Sequence, residues 1–161
     1  QHDSNSMKTI LAIDPGASGG IAYKIDRELT LRSLAMPETE GDILAALLAV
    51  HQGSEDTSSA VAFVEQVGGF IAGRPAPGSA MFNFGRNFGF LLGVLQALNF
   101  RIELVRPQEW QKALGLGKCE DKAEWKRKLK AKAQQLFPSQ KVTLKTADAL
   151  LIYEYGQRRG V

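Results

Sequence analysis

Two stretches of this chain share one design. Lys8-Thr9-Ile10-Leu11-Ala12-Ile13-Asp14 and Ser59-Ala60-Val61-Ala62-Phe63-Val64-Glu65 are apolar runs rich in β-branched and aromatic residues, and each stops at a carboxylate. Runs of this length, bounded by breakers such as Pro15-Gly16, read as buried strands. A charged group at the end of such a strand is costly unless it is paired or bound to a metal. The two acids therefore constrain both the fold and the chemistry.

The segments between them fill in an α/β pattern. Residues 21–25 and 29–35 read as strands joined by an Asp26-Arg27-Glu28 turn, which makes residues 8–35 an antiparallel three-strand meander. Residues 43–50 read as a helix and 53–59 as a polar loop. The breaker-rich stretch 68–78 reads as a long loop of functional type. From Ala80 to Leu98 the spacing of Met81, Phe84, Phe88, Leu91, Leu95 and Leu98 predicts a helix. Gly85, Gly89 and Gly93 form a second stripe on it. Each costs about 1 kcal/mol in a helix, so another backbone should approach there, the chain's own sheet being favoured over a partner's helix. Residues 102–105 read as a strand. Pro107 starts a helix through Trp110 to Leu114, a lysine-rich helix spans 120–136 and closes before Pro138, and a last helix covers 146–157 with Asp148 in its first turn. The order βββ-α-β-α-β-α-α-α specifies an α/β fold with a mixed five-stranded sheet, the meander plus parallel strands, flanked by helices.

Composition narrows the functional class. A chain of 161 residues with 44% apolar and 23% charged residues is that of one ordinary globular domain, not of a disordered or disulfide-built protein. Residues 1–6 read as a polar tail ahead of a domain over 7–161. Cys119 has no second cysteine to pair with, which fits a reducing compartment; the expected location is the cytoplasm, with a bacterial, prophage or phage source favoured and an organellar source as the alternative. The longest apolar stretch, residues 88–98, falls short of the ~20 residues a membrane span needs. Charge is divided: residues 1–100 carry a net −4 and residues 101–161 a net +7. A basic half beside an acidic one suggests a polyanion held over a carboxylate site.

Two strands ending at one sheet edge would bring Asp14 and Glu65 within reach of one cation, and a helix crossing that edge would add Asp148. Oxygen ligands of this kind suit Mg²⁺ or Mn²⁺ and hydrolysis of phosphodiesters. In their order and separation, Ile13-Asp14-Pro15-Gly16, Val64-Glu65-Gln66-Val67 and Ala147-Asp148-Ala149-Leu150-Leu151-Ile152 resemble the active-site blocks of the RuvC family of Holliday-junction resolvases. The blocks Phe84-Gly85-Arg86-Asn87-Phe88-Gly89-Phe90, Val105-Arg106-Pro107-Gln108-Glu109-Trp110, Leu136-Phe137-Pro138 and Glu154-Tyr155-Gly156 resemble its phage, prophage and chloroplast members in particular. The resemblance implies an RNase H-like fold, a homodimer, and paired Mg²⁺-dependent nicks in a four-way DNA junction that leave 5′-phosphate and 3′-hydroxyl ends. It carries Asp14, Glu65 and Asp148 over as metal ligands, with Mn²⁺ as a substitute and two ions per site. One departure stands out. The family's fourth acidic ligand falls at Leu144 or Lys145, so the second ion is expected to be weakly held, and a junction-binding protein with impaired chemistry is the alternative.

For DNA contact the resemblance points to Phe70 as a base-stacking probe, while Arg74, Arg86, Lys118, Lys122 and Lys145 are candidate phosphate contacts. The later lysines of the basic helix read as a solvated face, and Trp110 and Trp125 as packing residues. Asp14-Pro15-Gly16-Ala17-Ser18-Gly19-Gly20 also resembles a phosphate loop of actin-like ATPases and sugar kinases, but those need two such domains, so no nucleotide cofactor is expected.

Overall fold

The computed structural model describes residues 8–66, 70–71, 74–75 and 78–160; the expected tail at residues 1–6 lies outside them. Strands β1 (Ile10–Asp14), β2 (Gly20–Lys24) and β3 (Arg32–Ala35) form the antiparallel meander. Its β2–β3 end turns through Arg27 at φ 64°, with the Glu28 N–H donating to the Ile25 carbonyl at 3.1 Å. The third strand starts three residues later than its alternation predicts, and Leu29 stands fully exposed. Strands β4 (Val61–Glu65), β5 (Phe70–Ile71), β6 (Arg74–Pro75) and β7 (Arg101–Val105) follow among the described residues. The main sheet has the order β3-β2-β1-β4-β7, with β1, β4 and β7 parallel. Within the stretch read as loop, β5 and β6 pair antiparallel as a separate two-stranded ladder. Gly and Pro punctuation hides so short a pairing from periodicity.

Helices cover both faces. Helix α1 (Glu40–Gly53) opens at Thr39, whose Oγ1 accepts the Asp42 N–H at 3.1 Å, and it packs with α2 (Gly78–Ala97) on one face. The other face carries α3 (Pro107–Ala113), α4 (Lys122–Leu136) and α5 (Ala147–Arg158). The two-residue period of the strands sorts the core: Leu11, Ile13, Ala62 and Val64 join the α1/α2 side, while Ile10, Ala12, Val61 and Phe63 join the α5 side. Helix α5 lies so close to the sheet that a Cβ on Gly156 would come within 2.4 Å of the Phe63 ring.

The glycine stripe of α2 corrects the expectation that it meets the sheet. Among the described residues, a Cβ at Gly85, Gly89 or Gly93 would find no atom within 4 Å beyond its own stretch of helix backbone. Leu91 and Leu95 are the buried residues of α2, and glycines two positions away lie about 200° round the helix from them. The stripe faces outward. No helix among the described residues is long and apolar enough to cross a membrane.

Candidate active site

The parallel register Ile13↔Val64 runs β1 and β4 out at the same end, so Asp14 and Glu65 finish adjacent strands side by side. Period two then sends both toward the α5 side, since Asp14 follows Ile10 and Ala12, and Glu65 follows Val61 and Phe63. Asp148 comes to meet them from the first turn of α5, which packs across β1, β2 and β4. The turn before that helix is braced internally: Thr146 Oγ1 accepts the Thr143 N–H at 3.0 Å, and Thr143 Oγ1 accepts the Thr146 N–H at 3.2 Å. It also sits tightly on β2. A Cβ on Gly20, the residue paired with Asp14, would lie 2.4 Å from the Lys145 carbonyl oxygen.

The three carboxylates feel one another. Burial raises the Asp14 pKa well above the usual carboxylate range, and the charges of Asp148 and Glu65 push it further, against a smaller opposing pull from Lys126. Glu65 is pushed up to about 7, chiefly by burial and also by Asp148, with a hydrogen bond from Trp110 working the other way. Asp148 rises to about 6 through burial, again moderated by Lys126. Partial neutralisation by protons is what closely placed, poorly hydrated acids do when little positive charge is near.

Lys126 is an unexpected member of this group. It occupies the exposed part of α4, yet lies seven residues before the buried Ala133, within about 20° of the same helical line. That line faces α5, so its charge acts on Asp14 and Asp148 without forming an ion pair with either. Lys145 does not take that role: it precedes α5, is exposed, and forms no ion pair with Asp148 among the described residues. Trp110, fully buried on α3, donates its indole N–H to Glu65 Oε2 at 2.6 Å. Behind Asp14, the Gly16 N–H, at φ +100°, donates to Asn87 Oδ1 at 2.8 Å and ties the Pro15-Gly16 loop to α2.

Three carboxylates without histidine or thiolate form a donor set of the chemistry that Mg²⁺ and Mn²⁺ prefer. The ring is not closed, because among the described residues no three such side chains converge tightly enough to hold an ion. Glu65 has one oxygen turned to Trp110 instead.

The candidate DNA residues surround this end unevenly. Phe70 and Arg74 stand on the β5/β6 ladder, five and nine residues past Glu65, and their side chains lie outside the described structure. Lys122 is the first residue of α4, one turn before Lys126, and Lys118 is exposed in the preceding loop. Arg86 is engaged by Glu40, with Nε–Oε1 at 2.6 Å on the α1/α2 surface.

No family model matches the chain, and no curated protein matches it in sequence. Solved structures do. The structure of Thermus thermophilus RuvC in complex with a Holliday junction substrate matches with a TM-score of 0.62 at 17% identity, covering 94% of this chain and 96% of that one. This is the RuvC fold. A second Thermus thermophilus RuvC structure matches with a TM-score of 0.57 at 15% identity over the same shares. On the RuvC fold of this chain, three contributions around the acids are not assigned from the sequence: the charge of Lys126, the Asn87 side chain on Gly16 and the Trp110 N–H on Glu65. Only the seven-residue step from Lys126 to Ala133 hints at the first; Asn87 and Trp110 lie within the blocks that carry the resemblance, which does not give their partners.

Proposed function

We propose that the chain is a structure-selective DNA endonuclease of the RuvC type, resolving four-way junctions by metal-dependent phosphodiester hydrolysis with 5′-phosphate and 3′-hydroxyl products. The observation that carries this reading is the meeting of Asp14, Glu65 and Asp148 at one end of one sheet face, on a fold shared with a protein solved on Holliday junction DNA. In this reading Asp14, Glu65 and Asp148 hold Mg²⁺ or Mn²⁺. A bound divalent ion would activate water and neutralise charge on the leaving oxygen. The chain's own residues do the rest. Glu65 is buried and Asp14 and Asp148 are half-buried, so the fold presets the ligand oxygens, and Lys126 offers an ammonium donor to a phosphate oxygen. Lys118, Lys122 and Lys145 draw the backbone toward the acids, and the β5/β6 ladder brings Phe70 and Arg74 to the junction.

A homodimer belongs to the same reading, since two opposed strands require two sites. Its support is the outward glycine stripe of α2 beside an apolar groove lined by Leu44, Phe90, Gly93, Val94, Ala97 and Leu98. Scattering that shows only monomer at tens of micromolar, with and without junction DNA, would remove the dimer.

The deciding experiment is nicking of an end-labelled mobile four-way junction in Mg²⁺, Mn²⁺ or chelator, beside linear duplex and an Asp14→Asn control. Symmetric metal-dependent cuts that vanish in the control are expected. The exposed Lys145 and Leu144, where an acid would complete the set, favour a second reading as a junction binder with impaired chemistry. Tight junction binding with no cutting in either metal would select it, and Lys145→Asp should then restore activity.

A further inference from the structure

The hydrogen bond between Trp110 and Glu65 joins two buried groups that each need a partner. A buried indole N–H seeks an acceptor, and a buried carboxylate is costly without a donor. Their meeting is built into the fold. Val105 ends β7 opposite Glu65 in the parallel register, and its carbonyl accepts the Gln66 N–H at 2.8 Å. Two residues later Pro107 starts α3, which sets Trp110 in the first turn above the end of β4. Hydrocarbon packing alone would be met by Phe at this place in the core. Instead the ring edge points its one donor at Oε2, 2.6 Å away. Among the described residues Glu65 has no other hydrogen-bond donor, so Oε1 is the oxygen left over.

The geometry points to Trp110 as a positioning residue of the site: its N–H holds Oε2 of Glu65 and leaves Oε1 as the oxygen that Glu65 presents to a divalent cation. This rests on the reading of Asp14, Glu65 and Asp148 as a cation site. It also accounts for the open ligand ring, since a glutamate held by one oxygen is oriented before the ion arrives. Hydrogen-bond partners of ligating groups commonly govern affinity in this way.

The test uses the full chain without DNA. Trp110→Phe keeps the ring and removes the donor. Calorimetric titration with Mn²⁺ at pH 8 should show binding weakened about 10- to 100-fold, with circular dichroism and the thermal transition retained. In a Trp125→Phe chain, where Trp110 is the only indole, Mn²⁺ should quench its emission over the concentration range of the calorimetric binding. Adding Glu65→Gln should shift that quenching to higher Mn²⁺. A folded Trp110→Phe chain that binds Mn²⁺ within twofold of the parent would overturn the positioning role while leaving the cation site intact. If Trp110→Phe does not fold, the single-indole chain decides: emission indifferent to saturating Mn²⁺ overturns the proposal. A parent chain that takes up no Mn²⁺ and cuts no junction would bring down the site reading and this inference together.

Discussion

The two faces of the sheet are covered in opposite ways. On one, α5 presses so closely that Gly156 has room for no side chain, and the carboxylates are drawn into the crowded end of that layer. On the other, α2 buries Leu91 and Leu95 against the sheet and turns a row of glycines to open space. Glycine thus has two unrelated uses within one small fold. Under α5 it permits an approach already made. On α2 it leaves room for one that the chain alone does not make. The lesson is that a glycine stripe in a helix gives no direction until the buried residues beside it are known.

Substitutions can separate the two faces. The largest effect belongs to the acids: Asp14→Asn should slow junction nicking at least about a thousandfold while junction binding persists. Cutting that survives would dissociate the crowded end from the chemistry.

Next is a dependence on pH. Because burial and mutual repulsion raise the folded pKa values, the folded chain holds more protons than the unfolded one. Without a divalent ion its stability should therefore fall as pH rises from about 4, where unfolded carboxyls titrate, to about 7, where Glu65 does. Asp148 titrates at about 6, against 3.8 for a free aspartate, and Asp148→Asn should return on the order of 1–3 kcal/mol at pH 8 in chelator. Thermal melts at pH 5 and pH 8 would check this, and equal stability at the two would refute it. Mg²⁺ should raise the pH 8 melt more than the pH 5 melt.

A third comparison applies one substitution to both faces. Gly156→Ala drives a methyl into Phe63 and should destabilise the chain by roughly 1–3 kcal/mol. Gly89→Ala meets nothing and should stabilise the monomeric chain by up to about 1 kcal/mol. Denaturant titration at low protein concentration measures both. If a partner occupies the stripe, Gly89→Leu should shift light scattering from dimer to monomer and leave the α5 face unaffected.

Much of this arrangement can be read in the sequence, for identifiable reasons. Apolar runs that stop at an acid have few outcomes, so β1, β4 and their shared edge follow from residues 8–14 and 59–65. The meander follows from short turns, and the Pro107 helix start from its fixed φ. What could not be read depends on elements crossing in space. Lys126 looks like its neighbours on a basic helix until α4 is laid against α5. The outward direction of Gly85, Gly89 and Gly93 is set by Leu91 and Leu95 meeting the sheet. Trp110 reads as a packing residue and is one; its bond to Glu65 depends on the register between β4 and β7. The β5/β6 ladder is too short to leave a period.

The docking of α5 also has a consequence in time. Asp148, on α5, follows Glu65 by 83 residues, so a chain emerging from a ribosome carries two members of the acid group long before the third. Contacts between such distant segments form late and slowly. The nascent chain therefore holds Asp14 and Glu65 on adjacent strands before Asp148 has been made, and their mutual placement is completed only when α5 docks.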